Sequence, residues 1–151
     1  MKYFAYGMNT NLAQMAMRCP QARSLGAAYL PNHQFRFARH ADILFTPGFV
    51  THGVLWEITE DCVQSLDVLE GYPNYYDRKT VTVIHQLQQV EAMTYYMVGN
   101  LPDEVPSDGY VAMLRDGYFE NRVPDRQINE TLDFLKEYHT ALAKKSQYIY
   151  G

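Results

Sequence analysis

The order of strand-like and helix-like segments constrains the fold of this chain more than any other feature of its sequence. Several short stretches alternate apolar and polar residues, as half-buried strands do, and others carry apolar residues three and four positions apart, as amphipathic helices do. The strand-like stretches do not alternate one for one with the helical ones, so a doubly wound parallel sheet is not expected. The order predicts an α+β fold with a small, mostly antiparallel, barrel-like sheet and helices packed outside it.

Spacing and turn residues predict the individual elements and their pairing. The predicted strands are 2–6, 23–30, 33–38, 49–58, 78–87 and 90–98, with at most a short strand at 43–45. The predicted helices are 12–18, 59–70, 107–119 and 124–145. We expect a hairpin turn at Pro31-Asn32 and a second turn at Gln88-Gln89. A chain of 151 residues is expected to form one domain, residues 1–151.

Charge and hydropathy argue against two classes of partner. The formal net charge of −4 is opposite in sign to the basic face of a general nucleic-acid binder. No window of about twenty apolar residues predicts a membrane span, and the apolar stretch after Met1 is too short for a signal peptide. We therefore expect a cytoplasmic protein with neither nucleic-acid nor membrane partners. The sequence leaves the oligomeric state open.

The cysteines and histidines lack the spacing of a metal site. Cys19 and Cys62 are too few for a disulfide framework, and we expect both to be reduced, buried and not nucleophilic. The five histidines show no ligand spacing, so no metal is predicted. The run RFARH, residues 36–40, is interpreted as a solvated hairpin in preference to a contact for a substrate carboxylate.

The stretch LDVLEGYPNYYDR, residues 66–78, places one carboxyl where its ionisation is disfavoured. Glu70 follows Leu66 by four positions, on or beside the buried face of the predicted helix, whereas Asp67 is expected at the surface. Glu70 also precedes Gly71 in the last helical turn, where the helix dipole disfavours an anion. Burial and the dipole both raise a carboxyl pKa, and such a carboxyl can accept a proton and return it. The pattern alone also fits a glutamate that bends into solvent.

The stretch KYFAYGMNTN, residues 2–11, predicts a strand that ends in a tight glycine loop leading to a helix. Backbone N–H groups after Gly7 form a natural pocket for a carboxylate or a developing oxyanion, and Asn9 adds a side-chain amide. The loop lacks the Gly-Lys-Ser/Thr of a P-loop. A plain strand–turn–helix connection with an asparagine as its cap is the alternative interpretation.

Taken together, YFAYGMN and, about sixty residues later, LDVLEGYPNYYDR resemble the γ-glutamylcyclotransferase-like family. That family has a Tyr-Gly-Ser-Asn loop after its first strand and a catalytic Glu in a Leu-Asp-x-x-Glu-Gly stretch. PSDGY, residues 106–110, resembles the family's Pro-Ser-x-x-Tyr segment, and RCPQARSLGAAYL resembles its second-strand sequence. The resemblance covers nearly the whole chain and fails at Met8, which stands where the family usually has Ser.

The resemblance implies a γ-glutamylcyclotransferase-type enzyme that needs no cofactor. Its partner would be a small γ-glutamyl amide or dipeptide, whose own α-amine attacks its γ-carbonyl to release 5-oxoproline and a free amine. Glu70 would be the catalytic acid and base. The implied substrate-binding residues are Tyr6, Gly7, Met8, Asn9, Tyr76, Arg78 and Tyr110. Of these, Arg78 could equally be a plain strand residue.

Two other functions remain open from the sequence. A non-catalytic small-ligand binding or regulatory module could retain the same cavity, and Met8 is the residue that favours it. An enzyme could also cyclise γ-glutamyl groups attached to lysine or to a biosynthetic intermediate. Glu70 favours an enzyme, because a module that only binds has no use for a carboxyl that transfers protons.

Overall fold

Five strands close into a barrel in the computed structural model of this chain, which describes residues 1–150 and the side chains of residues 1–145. The strands are β1 (Lys2–Ala5), β2 (Arg23–Ala38), β3 (His40–Glu57), β4 (Tyr76–His85) and β5 (Gln88–Met97). Around the barrel the order is β1-β3-β2-β4-β5, and β1 with β5 is the parallel pair in an otherwise antiparallel arrangement. The predicted fold class is confirmed. Residue 151, part of the predicted domain, lies outside the described residues.

Four α-helices accompany the barrel in the described residues. They are α1 (Leu12–Arg18), α2 (Glu60–Glu70), α3 (Asp108–Glu120) and α4 (Arg126–Tyr150), and a single 3₁₀ turn, Met8–Thr10, precedes α1. None of these described helices combines the length and the apolar character needed to cross a membrane.

The predicted caps begin and end the helices. The Thr59 hydroxyl accepts the N–H of Cys62 at 3.3 Å at the start of α2. The Ser107 hydroxyl accepts the N–H of Tyr110 at 3.2 Å at the start of α3. Gly71 ends α2 in the left-handed conformation, with φ of 64°. These ends follow from local chemistry, since hydroxyls satisfy orphan N–H groups and glycine adopts positive φ without strain.

The predicted hairpin turn at Pro31-Asn32 is wrong. Strand β2 continues through this pair, and β3 runs antiparallel beside it. The turn lies at Arg39, whose φ is 69°, between the paired residues Ala38 and His40. The segment after this turn, predicted as a loop with at most a short strand, therefore belongs to β3.

A bulge takes the place of the predicted hairpin turn. The register of β2 against β3 shifts between Pro31 and His33, and Asn32 has φ of 59°. The Asn32 side-chain oxygen accepts the N–H of Gly48 on the facing strand at 3.1 Å. An asparagine with positive φ suits a bulge as well as a turn, so the local sequence does not distinguish the two.

Strands β4 and β5 pair as predicted, but their turn lies two residues earlier than expected. It consists of Gln86 and Leu87, with φ of 49° and 65°, and Gln88 and Gln89 already belong to β5. Both turn residues carry the positive φ of a two-residue hairpin turn, which the absence of Gly or Asn from this stretch concealed.

Cys19 and Cys62 form a disulfide, which corrects the expectation that both are reduced. Their Cα atoms are 5.2 Å apart, and both side chains are buried. Cys19 caps the end of α1 and Cys62 lies in α2, so the bond joins the helix that follows the glycine loop to the helix that carries Glu70. The sequence did not predict the bond because it joins residues 43 positions apart.

Helix α3 packs against the loop after β1 and is hydrogen-bonded to its backbone. The Tyr118 hydroxyl donates to the Tyr6 carbonyl at 2.6 Å, and the Asn121 amide donates to the Thr10 carbonyl at 2.8 Å. The helix comes so close that a Cβ on Gly117 would lie 2.8 Å from the Thr10 carbonyl carbon. The position of the loop therefore depends on glycine at residue 117.

Replacing Gly117 with alanine should destabilise the protein even though alanine is the better helix former. The added methyl group has no room against the Thr10 backbone, and overpacking of this kind costs about 1–3 kcal/mol. We expect the thermal midpoint to fall by several degrees, as measured by circular dichroism.

The matched control is Gly109→Ala in the first turn of the same helix, where an added Cβ meets nothing within 4 Å. It should be neutral or stabilise by up to about 1 kcal/mol. Equal effects of the two substitutions would contradict the close approach of α3 to the loop.

Candidate active site

The end of α2 and the loop after β1 face one cavity of about 230 Å³. The described residues that line it are Tyr3, Tyr6, Gly7, Met8, Asn9, Arg18, His40, Ala41, Leu69, Glu70, Tyr75, Tyr76, Tyr95 and Tyr110. The shared cavity predicted for Glu70 and the glycine loop is thus present. It also contains Tyr76 and Tyr110, so of the eight sequence-predicted site residues only Arg78 is absent from the lining.

Glu70 is the last residue of α2, and its carboxyl is directed to the glycine loop instead of solvent. Leu66, one turn earlier, is fully buried and fixes the face of the helix on which Glu70 lies. One carboxyl oxygen accepts a hydrogen bond from Asn9 Nδ2 at 3.0 Å. Burial raises the pKa of Glu70 above its ordinary value, while the charge of Arg18 and the Asn9 hydrogen bond oppose this shift. The direction of the shift agrees with the sequence prediction.

The Asn9 side chain joins Glu70 to two further residues. Its nitrogen donates to the Tyr3 hydroxyl at 3.0 Å as well as to Glu70. Its oxygen accepts from Arg18 Nη1 at 2.6 Å. Asn9 is buried, so an amide without these partners would be costly. The helix cap is Asn11, whose side chain accepts the N–H of Gln14, and Asn9 is therefore free for the cavity.

Glycine at residue 7 avoids two close contacts where the loop passes the barrel rim. A Cβ at this position would lie 3.1 Å from the Ala41 Cβ and 3.2 Å from the Tyr110 hydroxyl oxygen. The first hydrogen bond of the following turn joins the Thr10 N–H to the Gly7 carbonyl at 3.0 Å. Met8 and Asn9 lie between these two residues. Their N–H groups come before the first hydrogen bond of the turn and therefore have no carbonyl partner within it.

Ala41 is held between two of the cavity tyrosines. The Tyr76 hydroxyl donates to the Ala41 carbonyl at 2.7 Å, and the Tyr110 hydroxyl accepts the Ala41 N–H at 2.9 Å. The Tyr6 hydroxyl donates to the Tyr95 carbonyl at 2.6 Å. The hydroxyl groups of Tyr6 and Tyr76 thus donate to backbone carbonyls. The Tyr110 hydroxyl accepts a backbone N–H, so its own O–H can donate to another acceptor. Burial raises the pKa of all three phenols, so they stay neutral.

Arg78 lies outside the cavity. Its guanidinium donates to both carboxylate oxygens of Asp67, at 2.8 and 3.1 Å, and its central carbon is 4.3 Å from the centre of the Tyr72 ring. Asp67 also accepts from the Tyr95 hydroxyl at 2.7 Å. Asp67, which was expected at the surface, is partly buried by these contacts, and 21% of its side chain is exposed.

Sequence reasoning missed Arg18 and His40 of the cavity lining, as well as Tyr3, Tyr75 and Tyr95. Arg18 ends α1, and its contact with Asn9 depends on how α1 folds back on the loop. His40 was assigned to a solvated hairpin, but the true turn at Arg39 puts it at the barrel rim, where its Nδ1 is 2.9 Å from the Tyr75 hydroxyl. Placing that turn correctly would have found His40; no local pattern marks Arg18.

Comparison with known proteins decides the family. The sequence model of the gamma-glutamyl cyclotransferase, AIG2-like family matches residues 3–112. The chain belongs to this family. The matched region includes the glycine loop, Glu70 and Tyr110.

Individual relatives agree with this assignment. The chain is 28% identical over 135 residues to a gamma-glutamylcyclotransferase of Bos taurus, covering 81% of this chain and 72% of the bovine protein. A stretch of 65 residues is 34% identical to a Drosophila melanogaster relative and spans 42% of this chain but only 41% of that protein. A solved structure named gamma-glutamyl cyclotransferase superposes with a TM-score of 0.78 at 26% identity, over 85% of each chain.

Glutamine at position 70 should stabilise the fold in a pH-dependent way. Folding raises the pKa of Glu70, so the folded protein binds this proton more tightly than the unfolded chain does. The free energy of unfolding of the wild type should therefore fall relative to that of Glu70→Gln as the pH rises from about 4 through the folded-state pKa. Urea unfolding of both proteins at several pH values measures this difference.

Glu91→Gln provides the control, because it removes the same charge at an exposed position of β5. A difference between wild type and Glu70→Gln that stays constant across the pH range would show that folding does not perturb the carboxyl.

Proposed function

We propose that this family member cyclises a small γ-glutamyl amide or dipeptide, releasing 5-oxoproline and a free amine, with Glu70 as acid and base. The observation that carries the proposal is the position of the Glu70 carboxyl. It shares one cavity with the glycine loop, accepts a hydrogen bond from Asn9 and has its pKa raised by burial. A carboxyl in this state can take a proton from an ammonium group and return it within one turnover.

The size and opening of the cavity support a small γ-glutamyl group. Its volume of about 230 Å³ lies below the roughly 300–1,000 Å³ typical of drug-sized pockets. Leu69 and Tyr75 of the lining are 50% and 37% exposed and mark the opening. The glutamyl portion would fill the interior, and the leaving portion would extend past these two residues into solvent.

The substrate carries its own nucleophile, the α-amine, so the enzyme has to supply mainly proton transfer. Glu70 takes a proton from the substrate's α-ammonium, and the freed nitrogen attacks the γ-carbonyl carbon. The new C–N bond closes the five-membered lactam as the original amide bond breaks, and the leaving nitrogen receives protons given up by the α-nitrogen. Nucleophile and electrophile belong to one molecule, so holding the chain folded supplies much of the acceleration.

The glycine loop and Tyr110 are the groups proposed to stabilise the developing oxyanion. The N–H groups of Met8 and Asn9 precede the first hydrogen bond of the loop, and Tyr110 keeps an O–H free for an acceptor. Donors fixed by the fold in advance need no reorganisation when charge develops on the carbonyl oxygen.

A panel assay tests the proposed reaction. The purified protein is given γ-glutamyl dipeptides, γ-glutamyl-lysine and glutathione, and 5-oxoproline is measured. Glu70→Gln is nearly isosteric and cannot carry the proton, so the turnover of any accepted substrate should fall on the order of 10²–10⁴-fold. Glu91→Gln is again the control and should keep the wild-type rate.

The outcomes of the assay separate the candidate functions. Turnover that survives in Glu70→Gln would remove this residue from the mechanism. Binding of 5-oxoproline or a γ-glutamyl dipeptide without turnover, measured by calorimetry, would favour a binding module that retains the cavity. The substrate with the highest kcat/KM identifies the leaving group that the open end of the cavity accepts.

A further inference from the structure

We propose that Arg18 is a positioning residue that orients the Asn9 amide so that its NH₂ group faces Glu70. The effect on catalysis rests on the function proposed above, whereas the orientation itself does not. Arg18 Nη1 lies 2.6 Å from Asn9 Oδ1, and Asn9 Nδ2 lies 3.0 Å from one Glu70 carboxyl oxygen. The three side chains thus form a continuous chain of hydrogen bonds from α1 to α2.

The orientation of Asn9 has to be selected by a neighbour. A side-chain amide has an acceptor end and a donor end of nearly equal size, and rotation by half a turn exchanges them. Tyr3 does not select between the ends, because its hydroxyl can donate or accept. Arg18 does select, since a guanidinium donates only and must face the amide oxygen. With Arg18 in place, the NH₂ end is left for the carboxyl.

Among the charged groups around the cavity, Arg18 is the one whose loss should change the ionisation of Glu70 most. Among the described residues of the lining, Arg18 is the one that carries a permanent positive charge. Burial lowers the pKa of His40, so that ring is neutral at neutral pH. The other titratable groups facing the cavity are the phenols of Tyr3, Tyr6, Tyr75, Tyr76, Tyr95 and Tyr110.

The backbone of Arg18 is fixed at the point from which its side chain reaches Asn9. Arg18 is the last residue of α1, where the partial negative charge of the helix end favours a cation. The next residue, Cys19, is bonded to Cys62 of α2. The Arg18 backbone is therefore tied, through the disulfide of the next residue, to the helix that carries Glu70.

Removal of Arg18 should affect Glu70 in two ways of the same sign. The Asn9 amide becomes free to turn its oxygen towards the carboxyl, and the opposing positive charge is lost. Both disfavour the ionised carboxylate, so the pKa of Glu70 should rise further in Arg18→Met. If Glu70 must be ionised to accept the substrate's proton, the acidic limb of the kcat profile moves to higher pH.

Kinetics of a double-mutant cycle test the proposal. Arg18→Met should lower kcat on the order of 10²-fold, because it misplaces a catalytic group, while KM changes less. Arg18→Lys keeps a donor and a charge and should recover part of the loss. If Arg18 acts through Asn9, adding Arg18→Met to Asn9→Ala should cost little more than Asn9→Ala alone. Arg23→Met, an exposed arginine on β2, should leave kcat unchanged.

The results that would overturn the proposal are distinct from a failure of the proposed reaction. Additive effects in the cycle, or an effect of Arg18→Met confined to KM, would make Arg18 an independent substrate contact. Carbon-13 NMR titration of the Glu70 carboxyl, assigned with Glu70→Gln, needs no turnover. A Glu70 titration unchanged in Arg18→Met would refute the positioning role even if no substrate were found. A rise that is smaller when Asn9 is already alanine would support it, because loss of the Arg18 charge alone raises the pKa in both backgrounds. An equal rise in the two backgrounds would refute it.

Discussion

The site depends on one interaction, the hydrogen bond from the buried Asn9 amide to a carboxyl at the end of a helix. Two effects oppose ionisation of Glu70 there, because burial removes water and the helix end carries partial negative charge. The Asn9 hydrogen bond and the charge of Arg18 act in the other direction, and burial is the larger effect. The result is a carboxyl whose two protonation states lie closer in energy than those of an exposed glutamate. The other elements of the fold hold this arrangement together.

The barrel positions both sides of the cavity with short connections. On one side, α3 holds the loop through the Tyr118 and Asn121 hydrogen bonds and leaves space for it only because residue 117 is glycine. On the other, the turn at Arg39 places Ala41 on the rim, where Tyr76 and Tyr110 both bond to its backbone. Tyr6, Tyr76 and Tyr110 thus bond to the backbone, whereas the other polar side chains of the lining bond to side chains.

The sequence predictions succeeded where structure depends on residues close together in the chain, and failed where it depends on pairing between distant residues. Caps such as Thr59 and Gly71 depend on residues within one turn, and these were predicted correctly. The hairpin at Pro31-Asn32 was not, because turn and bulge have the same local composition and only pairing with β3 distinguishes them. The predicted fold class was still correct, because one long antiparallel pair in place of two shorter predicted segments does not change the architecture.

The residues of the candidate site show the same difference between local and long-range interactions. Glu70 lies on a helix face that spacing reveals, and the glycine loop has a recognisable sequence. The contact of Arg18 with Asn9 and the disulfide between Cys19 and Cys62 are tertiary contacts set by how α1 packs against its neighbours, so no spacing rule could find them. The family resemblance added the proposed reaction class, which a carboxyl and a glycine loop do not specify because each is individually common.

The departure from the family pattern at Met8 can now be weighed against the geometry. The Met8 carbonyl accepts the N–H of Asn11 at 3.0 Å, so residue 8 contributes to the turn through its backbone, which the exchange of Ser for Met leaves unchanged. What changes is the cavity wall, which gains a flexible apolar side chain in place of a small hydroxyl. Neither Asn9 nor Glu70 is hydrogen-bonded to the side chain of residue 8 in the described structure. The exchange therefore changes the shape and polarity of the space that a ligand would occupy, while the hydrogen bonds among Arg18, Asn9 and Glu70 form without a hydroxyl at residue 8.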